Sequence, residues 1–80
     1  MPTVTIIRGY RFFFFSLDRG EPPHIHIEKG DSVAKFWLKP VALARSKGFR
    51  QHELSRIRQL VEKHQPVFLR AWNEFFKSES

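Results

Sequence analysis

Cysteine is absent from this chain of 80 residues, so neither a disulfide framework nor a thiolate metal cage holds it together. Glycine is sparse, four residues in all, and no cluster of it cradles a phosphate. No apolar run is longer than about five residues, too short to cross a membrane. The first residues lack the basic stretch and apolar core of a secretory signal, and we expect a cytoplasmic protein with no membrane association. Recognisable catalytic sets are missing too. Asp18, Glu21, Glu28 and Asp31 are the carboxylates of the first half and form no pair, and no nucleophile motif surrounds Ser16 or Ser32. Acid is scarce throughout: eight Asp and Glu stand against 14 Lys and Arg, a net charge of +6. That imbalance favours an acidic partner, nucleic acid or an acidic protein. No cofactor is expected.

Rings are what the chain has in quantity, 15% of its residues, with nine Phe. A domain this short buries only about 60–65% of its unfolded surface, so the rings must build the core or a binding face. We read residues 1–80 as one domain with a strand half, 1–40, and a helical half, 50–77. The expected fold is α+β: an antiparallel sheet of four or five strands followed by a C-terminal helical pair packed on one face. Residues 3–7 are β-branched and strand-like, and Arg8-Gly9 is a turn. Residues 10–16 form the aromatic strand, with Ile7 opposite Tyr10, Thr5 opposite Phe12 and Val4 opposite Phe13. Residues 24–29 and 32–39 form a hairpin about a Gly30-Asp31 turn of type II′. Its register places Ile25 and Ile27 with Phe36 and Ala34 on an apolar face. Glu28, His26 and His24 then stand opposite Val33, Lys35 and Trp37 on the other. Residues 41–44 make a short fifth strand or an arm, and 46–48 a turn. A helix over 50–64 has Leu54, Ile57, Leu60, Val61 and His64 on one side. A break at Gln65 before Pro66 precedes a second helix to Lys77, apolar around half its circumference through Val67, Phe68, Leu69, Ala71, Trp72, Phe75 and Phe76.

His24, His26 and Glu28 alternate, so all three share a strand face, a spacing that suits zinc or iron(II). The plainer reading is a solvated polar face, with His24 stacked on Trp37 and Lys35 beside His26, where its charge would repel a cation. We therefore expect no metal. Histidine triads of nucleotidyl hydrolases need a third histidine where Glu28 stands. Residues 8–15 partly match the aromatic strand of RNA-recognition motifs, but Arg11 occupies a small-residue position and no helix separates the first strands. Phe12 and Phe14 point one way, Phe13 and Phe15 the other, so a one-sided helical layer leaves rings for a base or a second chain. Lys39, Arg45, Lys47, Arg50, Arg56 and Arg58 face a single acid, Glu53, over residues 39–58. Lys47 and Arg50 lie near a helix N-terminus, which attracts phosphate. Arg58 is four residues from Glu62, a pairing distance.

Three stretches carry a family resemblance: Gly9-Tyr10-Arg11-Phe12-Phe13-Phe14-Phe15-Ser16; Pro22-Pro23-His24-Ile25-His26-Ile27-Glu28; and a scattered set of Ala34-Lys35-Phe36-Trp37-Leu38, Pro40, Leu43-Ala44-Arg45, Gly48-Phe49, Glu53-Leu54, Trp72, Glu74, Phe75 and Phe76. Together they resemble the small bacterial domain-of-unknown-function family 4160 over nearly the whole chain. The resemblance implies no established activity. It implies a gene context from which a toxin–antitoxin-like pairing has been proposed. Two positions depart from the family: Arg50 stands where relatives carry a Ser N-cap, and Pro66 where they usually lack proline.

The expected function is a small interaction module, one component of a toxin–antitoxin-like pair, binding a cognate acidic protein or nucleic acid. Its expected surface is Arg11, His24, His26, Lys35, Trp37 and Lys39, with the basic arm Arg45, Lys47 and Arg50. The alternative is a small enzyme, metal-dependent through His24, His26 and Glu28 or a histidine-based ribonuclease. The unshared rings also lead us to expect a homodimer, or a heterodimer with a small protein, through Phe13, Phe15, Trp72 or Phe76.

Overall fold

The computed structural model describes residues 3–15 and 20–77. The expected strand end at Ser16 and the loop acid Asp18 lie outside them. Five strands, β1 (Thr3–Ile7), β2 (Tyr10–Phe13), β3 (His24–Lys29), β4 (Ser32–Leu38) and β5 (Val41–Lys47), precede two helices, α1 (Gln51–Lys63) and α2 (Gln65–Lys77). The strands form one antiparallel meander in the order β1-β2-β3-β4-β5. The α+β fold is as the sequence implies, and no helix among the described residues is long and apolar enough to cross a membrane.

The turns follow from backbone geometry. Arg8 and Gly9 both have positive φ, 52° and 84°, the pattern of a type I′ turn that matches strand twist. Gly30 has φ 61° while Asp31 stays outside the positive region, which fits type II′. The β3–β4 register is the expected one, from His24 opposite Trp37 to Lys29 opposite Ser32. β4 and β5 join through a turn holding the cis Lys39–Pro40 peptide.

Both helices cover one face of the sheet. Phe12, Phe14, Ile25, Ile27, Ala34, Phe36 and Leu38 pack there with Ile57 and Val61 of α1 and Phe68 and Trp72 of α2. Rings dominate the contact. Phe12 stacks on Phe68 at 5.2 Å, and Phe14 meets Trp72 edge-on at 5.4 Å. Burying a side chain the size of Ile57 or Val61 contributes about 1.5–3 kcal/mol each. Arg50 offers no side-chain cap to α1. Its backbone N–H instead donates to Glu53 at 3.0 Å, the half of a capping box that does not need Ser. The break between helices falls on His64, one residue before the expected Gln65. Gln65 opens α2 and donates its side-chain amide to the Leu38 carbonyl at 2.6 Å.

Several expectations are corrected. β1 has a bulge between Thr3 and Thr5, so Thr3 and not Val4 lies opposite Phe13, while Val4 turns into the core. Phe14 and Phe15 follow β2 rather than extending it. β5 is a full strand reaching Lys47, so Ser46 and Lys47 are not a turn. Val67 is exposed, because α2 turns only part of its expected apolar arc to the sheet. Arg58 reaches the Val41 carbonyl at 3.4 Å and lies 5.9 Å from the Phe36 ring centre, rather than pairing with Glu62.

Two outcomes follow from the turns. Arg8→Asn should raise stability by about 1 kcal/mol, because Asn enters the left-handed region more cheaply than Arg. A higher urea midpoint at unchanged slope checks it. Gly48 has φ 93°, and a Cβ there would sit 2.6 Å from Ser32 Oγ, whereas nothing lies within 4 Å of a Cβ on Gly30. Gly48→Ala should therefore cost about 2–3 kcal/mol against about 1 for Gly30→Ala. Equal unfolding midpoints for the two variants would contradict the close approach.

Candidate nucleic-acid interface

The face of the sheet away from the helices is built by alternation. Residues that flank the inward Phe12, Ile25, Ile27, Ala34 and Phe36 point outward. Cross-strand register lines them up in two rows. One row runs Arg11, Glu28, Val33, Lys47, and the next runs Phe13, His26, Lys35, Arg45. Arg45 and Lys47 reach this face because of a bulge in β5. Lys35 pairs with Arg45 but Phe36 with Leu43, so Ala44 is the extra residue. In a regular ladder Ala44 would pair with Lys35, and Arg45 would fall opposite Ala34 and point toward the helices, since a one-residue shift reverses every side chain.

This face is not the solvated polar surface the sequence suggests. His24 is fully buried, and His26 and Lys35 are each only 9% exposed. The His24 ring sits edge-on to Trp37 at 5.6 Å rather than stacked on it, and contacts Trp72 at 5.0 Å. Its Nδ1 lies 2.9 Å from the Pro22 carbonyl. Phe13 stacks on His26 at 5.5 Å, meets Phe15 edge-on at 5.2 Å and lies under the Arg11 guanidinium at 4.4 Å. The outward rings thus cover one another. Phe13 and Trp72 are buried within the chain and Phe76 is half-buried, so those three are not the open contact surface expected for a second chain. Phe15, 40% exposed, is the ring this face presents to solvent.

Charge on this face is partly neutralised. Lys35 Nζ lies 2.5 Å from Glu21 Oε1 and 4.7 Å from the Trp37 ring centre. Arg11 Nη1 lies 2.6 Å from Glu28 Oε1, and its Nε donates to Thr3 Oγ1 at 2.9 Å. Among the described residues Arg45 and Lys47 have no ion-pair or hydrogen-bond partner, and both are exposed. A trough of about 380 Å³ lies between these features, at the lower end of ligand-sized clefts. Phe13, Phe15 and His26 form one flank, Arg45, Ser46 and Lys47 the other, and Glu28, Val33 and Lys35 line it between them.

The expected surface therefore divides. His26, Lys35, Arg45 and Lys47 come together at the trough, with Arg11 at its border through Glu28. His24 and Trp37 lie outside its lining, toward the other end of the β3–β4 hairpin, and Lys39 sits in the β4–β5 turn, at the opposite end of β5 from Lys47. Arg50 is the residue just before α1, and its backbone N–H is already taken by Glu53. Lys47 belongs to the sheet, not to that helix end. Among the described residues no three His, Cys, Asp or Glu side chains gather as a metal-holding group. Glu28 turns to Arg11, and His24 to Pro22. From the sequence, Glu28 stood only as a metal-ligand candidate, Phe15 as a ring left for a base or a second chain, and Val33 had no assigned role. Their common face was readable from alternation, but their meeting with Arg45 and Lys47 was not.

No curated protein and no solved structure matches the chain significantly. One family model does, the domain of unknown function DUF4160, over residues 9–73. The match spans β2 to most of α2 and includes every residue lining the trough, so the chain belongs to the DUF4160 family.

Proposed function

We propose that this chain is a binding module that takes single-stranded nucleic acid on the open face of its sheet. The observation that carries the reading is the trough, which sets an exposed ring, Phe15, across from two exposed cations, Arg45 and Lys47, that have no side-chain partner among the described residues. Bases offer a flat apolar surface and phosphates a negative charge, and single strands are commonly held by this pairing of ring and cation. An acidic protein segment would satisfy the cations but leave the ring flank without a planar partner. The net charge of +6 adds long-range attraction for a polyanion. Within the toxin–antitoxin-like pairing suggested by the family's gene context, nucleic-acid contact in a bacterial cytoplasm is the contribution this chain would make. Turnover is the competing outcome, with His26 the histidine nearest a bound strand.

Fluorescence anisotropy with a labelled single-stranded RNA hexamer tests the proposal. Two phosphate contacts predict a slope of log affinity against log salt of about −1.4, a loss of about sevenfold between roughly 50 and 200 mM salt. Arg45→Ala and Lys47→Ala should each flatten the slope by about 0.7. Lys39→Ala, at the far turn, should leave it unchanged. Phe15→Ala should weaken binding by about 1–3 kcal/mol without altering the slope. An absence of binding at low salt overturns the reading. So does equal binding of a polyglutamate peptide that ignores Phe15, which would point to an acidic protein instead. Cleavage of the hexamer, lost in His26→Ala, would convert the module into a ribonuclease.

A further inference from the structure

We propose that Glu28 reads the base in the trough and selects bases that carry an exocyclic amino group over uracil. The inference rests on the nucleic-acid reading above and adds a chemical class to it.

Glu28 is an odd residue to find in a site for a polyanion. It lines a trough whose far flank is cationic, and its side chain is 39% exposed. Its negative charge opposes phosphate, so it does not belong to the part of the site that holds the backbone. Its place in the register separates it from that part. Val33 stands between Glu28 and Lys47, which puts two strand spacings, about 10 Å, between carboxylate and cation. That span suits a nucleotide laid across the strands, with its phosphate at Lys47 and its base toward Glu28 and the Phe15–His26 flank.

The carboxylate is also fixed. Arg11 holds Oε1 at 2.6 Å and is itself pinned by Thr3 and by the Phe13 ring beneath it. Among the described residues the Glu28 carboxylate has no partner besides Arg11, so Oε2 is left able to accept a hydrogen bond. An ionised carboxylate accepts only. Cytosine presents an amino donor at N4, adenine at N6 and guanine at N2, each of which can donate to Oε2. Uracil offers one donor on that edge, N3–H, and the carbonyl oxygens on both sides of it repel the carboxylate, so the contact is weaker than one to an exocyclic amino group. Glu and Asp accept in this way from cytosine N4 where bases are read directly. Arg11 acts here as a positioning residue, since it orients the acceptor and does not touch the base.

The measurement compares hexacytidylate with hexauridylate at pH 7.5 and about 50 mM salt by fluorescence anisotropy. The two differ at the edge Glu28 would read and carry the same backbone charge. Hexacytidylate should bind about tenfold more tightly. In Glu28→Gln, whose amide donates as well as accepts, the ratio should fall to about twofold or less through a gain in hexauridylate affinity. The wild-type comparison needs no variant, so it stands even if Glu28→Gln is unstable. Equal affinities in the wild type, with the salt slope and Phe15 dependence intact, overturn this inference and leave the binding reading standing. A tenfold ratio that persists in folded Glu28→Gln also overturns it, because another group would then be the reader. Failure of both hexamers to bind overturns the binding reading and this inference with it.

Discussion

A five-stranded sheet with both helices on one side leaves its other face to cover itself, and the rest of the structure depends on how it does so. Strand alternation gives no choice in the matter. Each ring sent toward the helices, such as Phe12, has a neighbour sent away, such as Phe13. Exposed rings are costly in a domain this small, whose net stability is a small difference between large terms. The outward rings are shielded mostly by neighbours on their own face, Phe13 by Phe15, His26 and the Arg11 guanidinium and His24 by Trp37, with Trp72 of α2 reaching His24 from the helical layer. Trp72 touches both Phe14 and His24, so α2 ties the covered layer to the open face at the start of β3. The result is a packed outer face with a trough in it, rather than a wet one.

The scarcity of acid has its structural counterpart on the same face. Glu21 is committed to Lys35, and Glu28 to Arg11. Lys35 is nearly buried, so removing Glu21 would strand a desolvated cation, a far larger penalty than the loss of an exposed pair. With those two acids engaged, Arg45 and Lys47 stand beside the trough with no ion-pair partner among the described residues. The asymmetry is therefore spatial as well as numerical: rings and a held carboxylate on the β2–β3 side, bare cations on β5.

The two hairpins, the β3–β4 register and the two helices were legible because each rests on local chemistry. Gly30 dictates the tight turn, and the apolar pairs Ile25–Phe36 and Ile27–Ala34 tolerate one register. Ile57 and Val61 mark the buried side of α1 by helical spacing. The two bulges were not legible. Val4 and Ala44 are small or β-branched residues that fit a regular strand as well as a bulged one, and nothing in their neighbours announces an extra residue. Burial of the polar row was hidden for a different reason. His24, His26 and Lys35 read as solvated because their covers, Phe15, Trp37, Trp72 and Glu21, lie on other strands, a loop and a helix.

The sequence by itself determined the fold class, the two hairpin pairings and which residues could share a face, since periodicity and turn chemistry act over a few residues at a time. It also determined that the molecule would be basic and rich in rings. Tertiary structure alone decided that Arg45 and Lys47 stand across a trough from Phe15 and His26, and that Glu28 is held between them by Arg11. That arrangement hangs on Ala44 being left unpaired in the β4–β5 ladder. Alternation says which side chains are neighbours in principle. Only the assembled sheet says on which face the charges land.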